Sequence, residues 1–113
     1  MADQTTNKVV GNAAFRFRVS DSLAVPLRGH MLRLKLVDGS PSMKELAAGR
    51  QLKVVSPSGA ERVVTIKGHS STAGQAKQSR LDTTRELDIV IPSEDAGQGR
   101  STIGIGWFAL PPR

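Results

Sequence analysis

The side chains with the most versatile chemistry at neutral pH are the two histidines, His30 and His69, which stand 39 positions apart with no HxxxH or carboxylate-bracketed pair around either. A zinc site needs three or four ligands arriving from short, repeated spacings. The chain has no cysteine, which excludes thiolate metal sites, disulfides and thiol nucleophiles together. Serine is abundant, but no GxSxG elbow presents one on a strained strand-to-helix turn, so no nucleophile is singled out. Nucleotide chemistry lacks its cradle as well. No GxxxxGK[ST] occurs, and Gly97-Gln98-Gly99 and Gly104-Ile105-Gly106 are short glycine pairs that open no helix. These residues predict a protein that is not an enzyme and uses no cofactor or metal.

Charge is the remaining signal. Sixteen Lys and Arg against ten Asp and Glu give a net charge of +6, a balance that favours encounters with nucleic acid or acidic surfaces. Residues 1–85 carry 14 basic and 6 acidic groups, whereas residues 86–113 carry 2 and 4. Glu86, Asp88, Glu94 and Asp95 lie in one short run without a compensating base, so phosphate contacts are expected elsewhere. Arg16 and Arg18 alternate with Phe15, Phe17 and Val19, and Arg33 and Lys35 alternate with Leu32, Leu34 and Leu36. If the two stretches pair antiparallel, all four cations share one outward face. A second cluster, Lys77, Arg80 and Arg85, falls in a long connection, residues 68–85, opposed only by Asp82. Connections of that length are functional or disordered more often than structural, and a flexible basic loop can order on a polyanion. Trp107-Phe108 offers an aromatic platform for a base, although core packing is the commoner use of such a pair.

The elements that must position these groups read as strands. Apolar residues recur at every second position through Phe15–Val19, Leu32–Leu36 and Leu87–Ile91, the period of half-buried strands. Gln51–Ser56 and Ala60–Lys67 flank Ser56-Pro57-Ser58-Gly59, a hairpin turn with proline at its second position. Ser101–Leu110 is read as a last strand, with Gly104 and Gly106 on one face where a barrel strand coils. Pro41-Ser42-Met43-Lys44-Glu45, with Gly49 as a stop, predicts a short helix near residues 42–48 begun by a capping box. The expected fold is all-β, a small closed or nearly closed barrel of about six mostly antiparallel strands. Phe17, Leu34, Leu36, Val54, Val64, Ile66, Ile89, Ile91 and Ile105 are expected inside, with residues 1–12 a tail and 13–113 a single domain.

Phe17, Val19, Asp21-Ser22 and Pro26-Leu27-Arg28-Gly29 together resemble the opening strand and glycine-bearing loop of the second-domain β-barrel of translational GTPases, the elongation factor Tu-like family. Asp38-Gly39 and the stretch Leu46–Val54 resemble the segment that re-enters that barrel. The resemblance implies a stand-alone barrel without its GTPase domain. No basic segment followed by an apolar run opens the chain, and no stretch approaches the roughly 20 apolar residues of a membrane span. The expectation is therefore a soluble, cytoplasmic, non-catalytic module that binds RNA or a ribonucleoprotein surface through Arg16, Arg18, Arg33, Lys35, Lys77, Arg80 and Arg85. The alternative is a protein-interaction or structural module with no nucleic-acid role.

Overall fold

The computed structural model describes residues 15–69 and 78–112. Two long strands, β1 (Arg16–Val25) and β2 (Gly29–Asp38), form an antiparallel hairpin at the centre of the sheet. They are followed by β3 (Gln51–Val55), β4 (Glu61–Thr65), β5 (Gly68–His69), a helix α1 (Gln78–Thr84), β6 (Glu86–Ile91), a one-turn helix α2 (Ser93–Ala96), a 3-10 turn at Gly99–Ser101 and β7 (Phe108–Leu110). All seven strands belong to one antiparallel sheet in the order β4-β3-β7-β1-β2-β6-β5. The fold is all-β, as the alternation predicts.

The ladder does not close. The end strands β4 and β5 do not pair with each other; they are successive stretches of one chain, joined through Ile66 and Lys67. Ile66 still bonds on the β3 side, its N–H to Arg50 O and its carbonyl to Gly49 N–H, whereas Lys67 N–H already donates to Val90 O on β6. The chain thus changes partner within one peptide unit, and covalent continuity takes the place of a closing ladder.

Alternation assigns the two faces. Phe17, Val19, Leu32, Leu34 and Leu36 point inward and join Leu52, Val54, Val64, Ile66, Ile89 and Ile91 in one buried cluster. Phe15 packs edge-on against Phe17, with ring centroids 5.6 Å apart. A bulge lies in β1 between Val19 and Asp21, where the register against β2 shifts. The extra residue there is Ser20, and it reverses the phase of the strand, so that Ser22 comes opposite Leu32 on the inner side. Without the bulge, alternation would place Asp21 inside.

Three local expectations fail for identifiable reasons. Residues 43–49 form turns and no helix. Glu45 N–H donates to the backbone carbonyl of Ser42, Leu46 N–H to Met43 O, and Arg50 N–H to Ala47 O. Gly49 is tied to Ile66 O and Met43 N–H to the Gln78 side chain, so anchoring at both ends outweighs an α-helical nucleus that is costly to start. The expected last strand shortens to Phe108–Leu110, because Gly104–Trp107 turns instead: Trp107 N–H donates to Gly104 O and Gly106 takes φ 95°. A glycine at positive φ in the third position defines a turn and overrides alternation. Ile105 accordingly sits at the turn tip, 64% exposed, and does not join the interior. Finally, the supposed loop carries α1, which buries Leu81 in the core cluster.

Candidate nucleic-acid interface

The outward cations of the central hairpin do share one face. Arg18 stands directly opposite Lys35, while Arg16 pairs in register with Asp38 and Arg33 with Asp21. That face is not uniformly basic, however. Strand β6 lies on the other side of β2 and sets Asp88 against Arg33 and Glu86 against Lys35. Arg33 grips Asp88 with two bonds, Nε to Oδ1 at 2.9 Å and an Nη to Oδ2 at 3.1 Å. This hydrogen bonding, reinforced by the carboxylate's charge, raises the guanidinium pKa above its ordinary value. Arg16 holds Asp38 at 2.9 Å and lies over the Phe108 ring, 5.0 Å from its centroid. Of the acidic run expected to lie apart from the basic strands, Glu86 and Asp88 are set directly against β2, whereas Glu94 and Asp95 fall in α2. Among the described residues Arg18 and Lys35 are in no ion pair, and two like charges directly opposite repel.

The second predicted cluster divides. Arg80 is exposed on α1, and Arg85 follows it at φ 60°, its N–H bonded to Leu81 O at the helix end. Lys77 lies outside the described residues. The aromatic pair is occupied internally: Trp107 packs against the core cluster under the Arg62 guanidinium, 5.5 Å from the ring centroid. Arg62 itself donates to the carbonyls of Asp95, Ala96 and Ser101. It clamps the connection after β6 onto β4, a structural role that no spacing in the sequence announces.

A different basic site appears where the hairpin tip meets the β4–β5 corner. Arg28, Lys67, Gly68, His69 and Val90 line an open cleft of about 250 Å³. Lys67 Nζ donates to the Arg28 carbonyl at 2.7 Å, which draws the ammonium to the base of the tip. Among the described residues no carboxylate lines the cleft. The ring of His69 is fixed by Nε2–H donating to Leu46 O at 2.7 Å, which leaves Nδ1 buried and without a partner among the described residues. The cleft joins residues 39 positions apart, a separation that no local window of the sequence spans.

His30 is the other histidine, buried beside Ser22. The Ser22 hydroxyl donates to Ile103 O at 2.6 Å. Its Oγ therefore receives the proton of the 2.7 Å contact from His30 Nε2–H. The pair is thus arranged the wrong way round for a base activating a nucleophile. Burial lowers the His30 pKa from 6.5. A base with a depressed folded pKa contributes stability that is complete above its unfolded pKa and is lost as pH falls below it. The melting temperature of the wild type should therefore drop, relative to His30→Gln, as pH is lowered from about 7.5 to about 5. Parallel curves for the two proteins would show that His30 carries no such linkage.

Among the described residues no three His, Cys, Asp or Glu side chains gather as a metal would require, and no helix is long and apolar enough to cross a membrane. Compared with family models and with curated proteins, the chain matches none.

Proposed function

We propose that this chain is a non-catalytic small β-barrel module of the cytoplasm that binds RNA or a ribonucleoprotein surface, anchored by the cleft of Arg28 and Lys67. The observation that carries this reading is a concave site with two cations and, among the described residues, no carboxylate, because an uncompensated pair of cations releases counterions from phosphate whereas a paired one does not. Arg18, Lys35, Arg80 and Arg85 extend the basic surface; Arg16 and Arg33 are largely spent on Asp38 and Asp88. The resemblance to the second-domain barrel of translational GTPases, as a stand-alone domain, belongs to the same proposal.

Single-stranded RNA should bind with an affinity that falls steeply with salt. The variant Arg28→Glu, Lys67→Glu should weaken binding across sequences and reduce the log–log salt slope by about 1.4, the value for two phosphate contacts on a single strand. Fluorescence anisotropy titrations across ionic strength measure both quantities. An unchanged slope would remove the cleft from the interface.

A second reading rests on the hairpin tip. Arg28 N–H donates to Val25 O around Pro26-Leu27, and Leu27 takes φ 68° with its side chain 106% exposed. That third turn position ordinarily belongs to glycine or asparagine. A fully exposed leucine held in a strained conformation fits a protein-interaction module whose tip enters a partner's pocket. Wild-type protein that fails to bind RNA even at about 50 mM salt, where phosphate contacts are strongest, would favour this reading.

A further inference from the structure

The end of the β1–β2 hairpin is apolar and exposed. From Leu23 to Leu27 the chain reads Leu-Ala-Val-Pro-Leu, and between Asp21 and Arg33 the only Asp, Glu, Lys or Arg is Arg28. Burial does not account for this composition, because Leu23, Ala24, Pro26 and Leu27 are all exposed. Leu23 stands opposite Met31 just behind the turn, and Leu27 occupies the turn itself with its whole side chain in solvent. Leu27 is also held at φ 68°, where a leucine is strained and a glycine or asparagine is not. It neither fills the core nor suits its turn, so folding gains nothing from it. An apolar residue placed at that cost points to a surface outside the chain.

Positive charge stands immediately behind the apolar tip. Arg28 follows Leu27 and is exposed, as is Lys67, whose Nζ donates to the Arg28 carbonyl at 2.7 Å. The ammonium is thereby held at the base of the tip, in a cleft with no carboxylate among the described residues. The order along the hairpin is hydrocarbon first and cations second. An anionic bilayer presents the complement in the same order of depth, with phosphates at its surface and acyl chains beneath them. RNA supplies the phosphates but no hydrocarbon for Leu27, and a protein pocket supplies hydrocarbon without an anionic rim.

We propose that the hairpin tip is a membrane-docking element: Leu27 and Pro26 enter the hydrocarbon margin of an anionic phospholipid bilayer while Arg28 and Lys67 engage the lipid phosphates. The association is peripheral and reversible, since so small an apolar tip backed by two cations is a weak anchor. It goes beyond the RNA reading, which uses Arg28 and Lys67 but not Leu27.

Co-flotation of the full chain with vesicles of phosphatidylcholine plus phosphatidylserine, against vesicles of phosphatidylcholine alone, tests this. Binding to the neutral vesicles is expected to be at least about tenfold weaker, since the cations lose their partners there. Leu27→Asn should weaken binding to anionic vesicles about tenfold. It should not lower the melting temperature, because asparagine tolerates the left-handed turn position. Insertion has its own readout. The chain has no cysteine, so Leu27→Cys takes a single environment-sensitive fluorophore, whose emission should shift to the blue on anionic vesicles. The same label at Val37→Cys, exposed at the far end of β2, should not shift. No binding to anionic vesicles, equal binding to both vesicle types, undiminished binding by Leu27→Asn, or equal shifts at the two labels would each overturn the assignment; the first of these would leave the tip to a protein pocket. RNA titrations of wild type and Leu27→Asn, run in parallel, decide the RNA reading separately, because Leu27→Asn keeps both cations and should bind RNA as the wild type does.

Discussion

Leu34→Ala is expected to lower the free energy of unfolding by about 2–5 kcal/mol, the range for truncating a buried leucine whose surroundings cannot collapse into the space. Leu34 is fully buried and lies in β2, with Val19 of β1 opposite it on one side and Leu87 of β6 on the other. Both neighbours are themselves buried. Ladder hydrogen bonds on each flank hold the backbone in place, so relaxation is limited and the cavity persists. Urea denaturation should show a lower midpoint with an unchanged slope. Lys35→Ala, one position along and exposed, serves as the control and should change stability by less than about 0.5 kcal/mol. A similarly small effect at Leu34 would contradict its placement in the core cluster.

Gly29→Ala should be comparably damaging, by at least about 2 kcal/mol, although it adds only a methyl group. Two costs combine there. Gly29 has φ 127°, a conformation that side chains rarely adopt, and a Cβ would fall 2.4 Å from the Ile91 carbonyl oxygen, an overlap that only backbone movement can relieve. Gly29 opens β2 just where His30 pairs with Ile91, so relief would loosen the β2–β6 ladder at its end. Gly59→Ala separates the two costs, since Gly59 has φ 98° but nothing within 4 Å of an added Cβ. It should lose only the strain energy, about 1–2 kcal/mol. Equal losses in the two variants, measured by chemical denaturation, would show that the contact with Ile91 yields without cost.

The interior was largely legible because alternation is a local property. Phe17, Leu34, Leu36, Val54, Val64, Ile66, Ile89 and Ile91 all sit in the core as their period requires. Ile105 is the exception, and it fails where two glycines allow a turn to interrupt the period. The helix expected near Ser42–Ala48 was a fair reading of Pro, Ser, Glu and Gly in sequence. It does not form because Met43 and Gly49 are bonded to Gln78 and Ile66, partners that no local window contains.

The candidate site was less legible. Arg16, Arg18, Arg33 and Lys35 do face outward together, which the strand period alone determined, as it did the all-β class. The lack of cysteine, P-loop and paired histidines likewise followed from residue identity. Which cations keep their charge uncompensated was decided only by the tertiary structure. Strand β6 pairs with β2 and carries Glu86 and Asp88 into the basic face, whereas the β4–β5 corner brings Lys67 to Arg28 with no acid among the described residues of the cleft. Side-chain direction depends on a residue's immediate neighbours, but electrostatic compensation depends on which strand lies alongside, and that choice is made by burial of the whole apolar set.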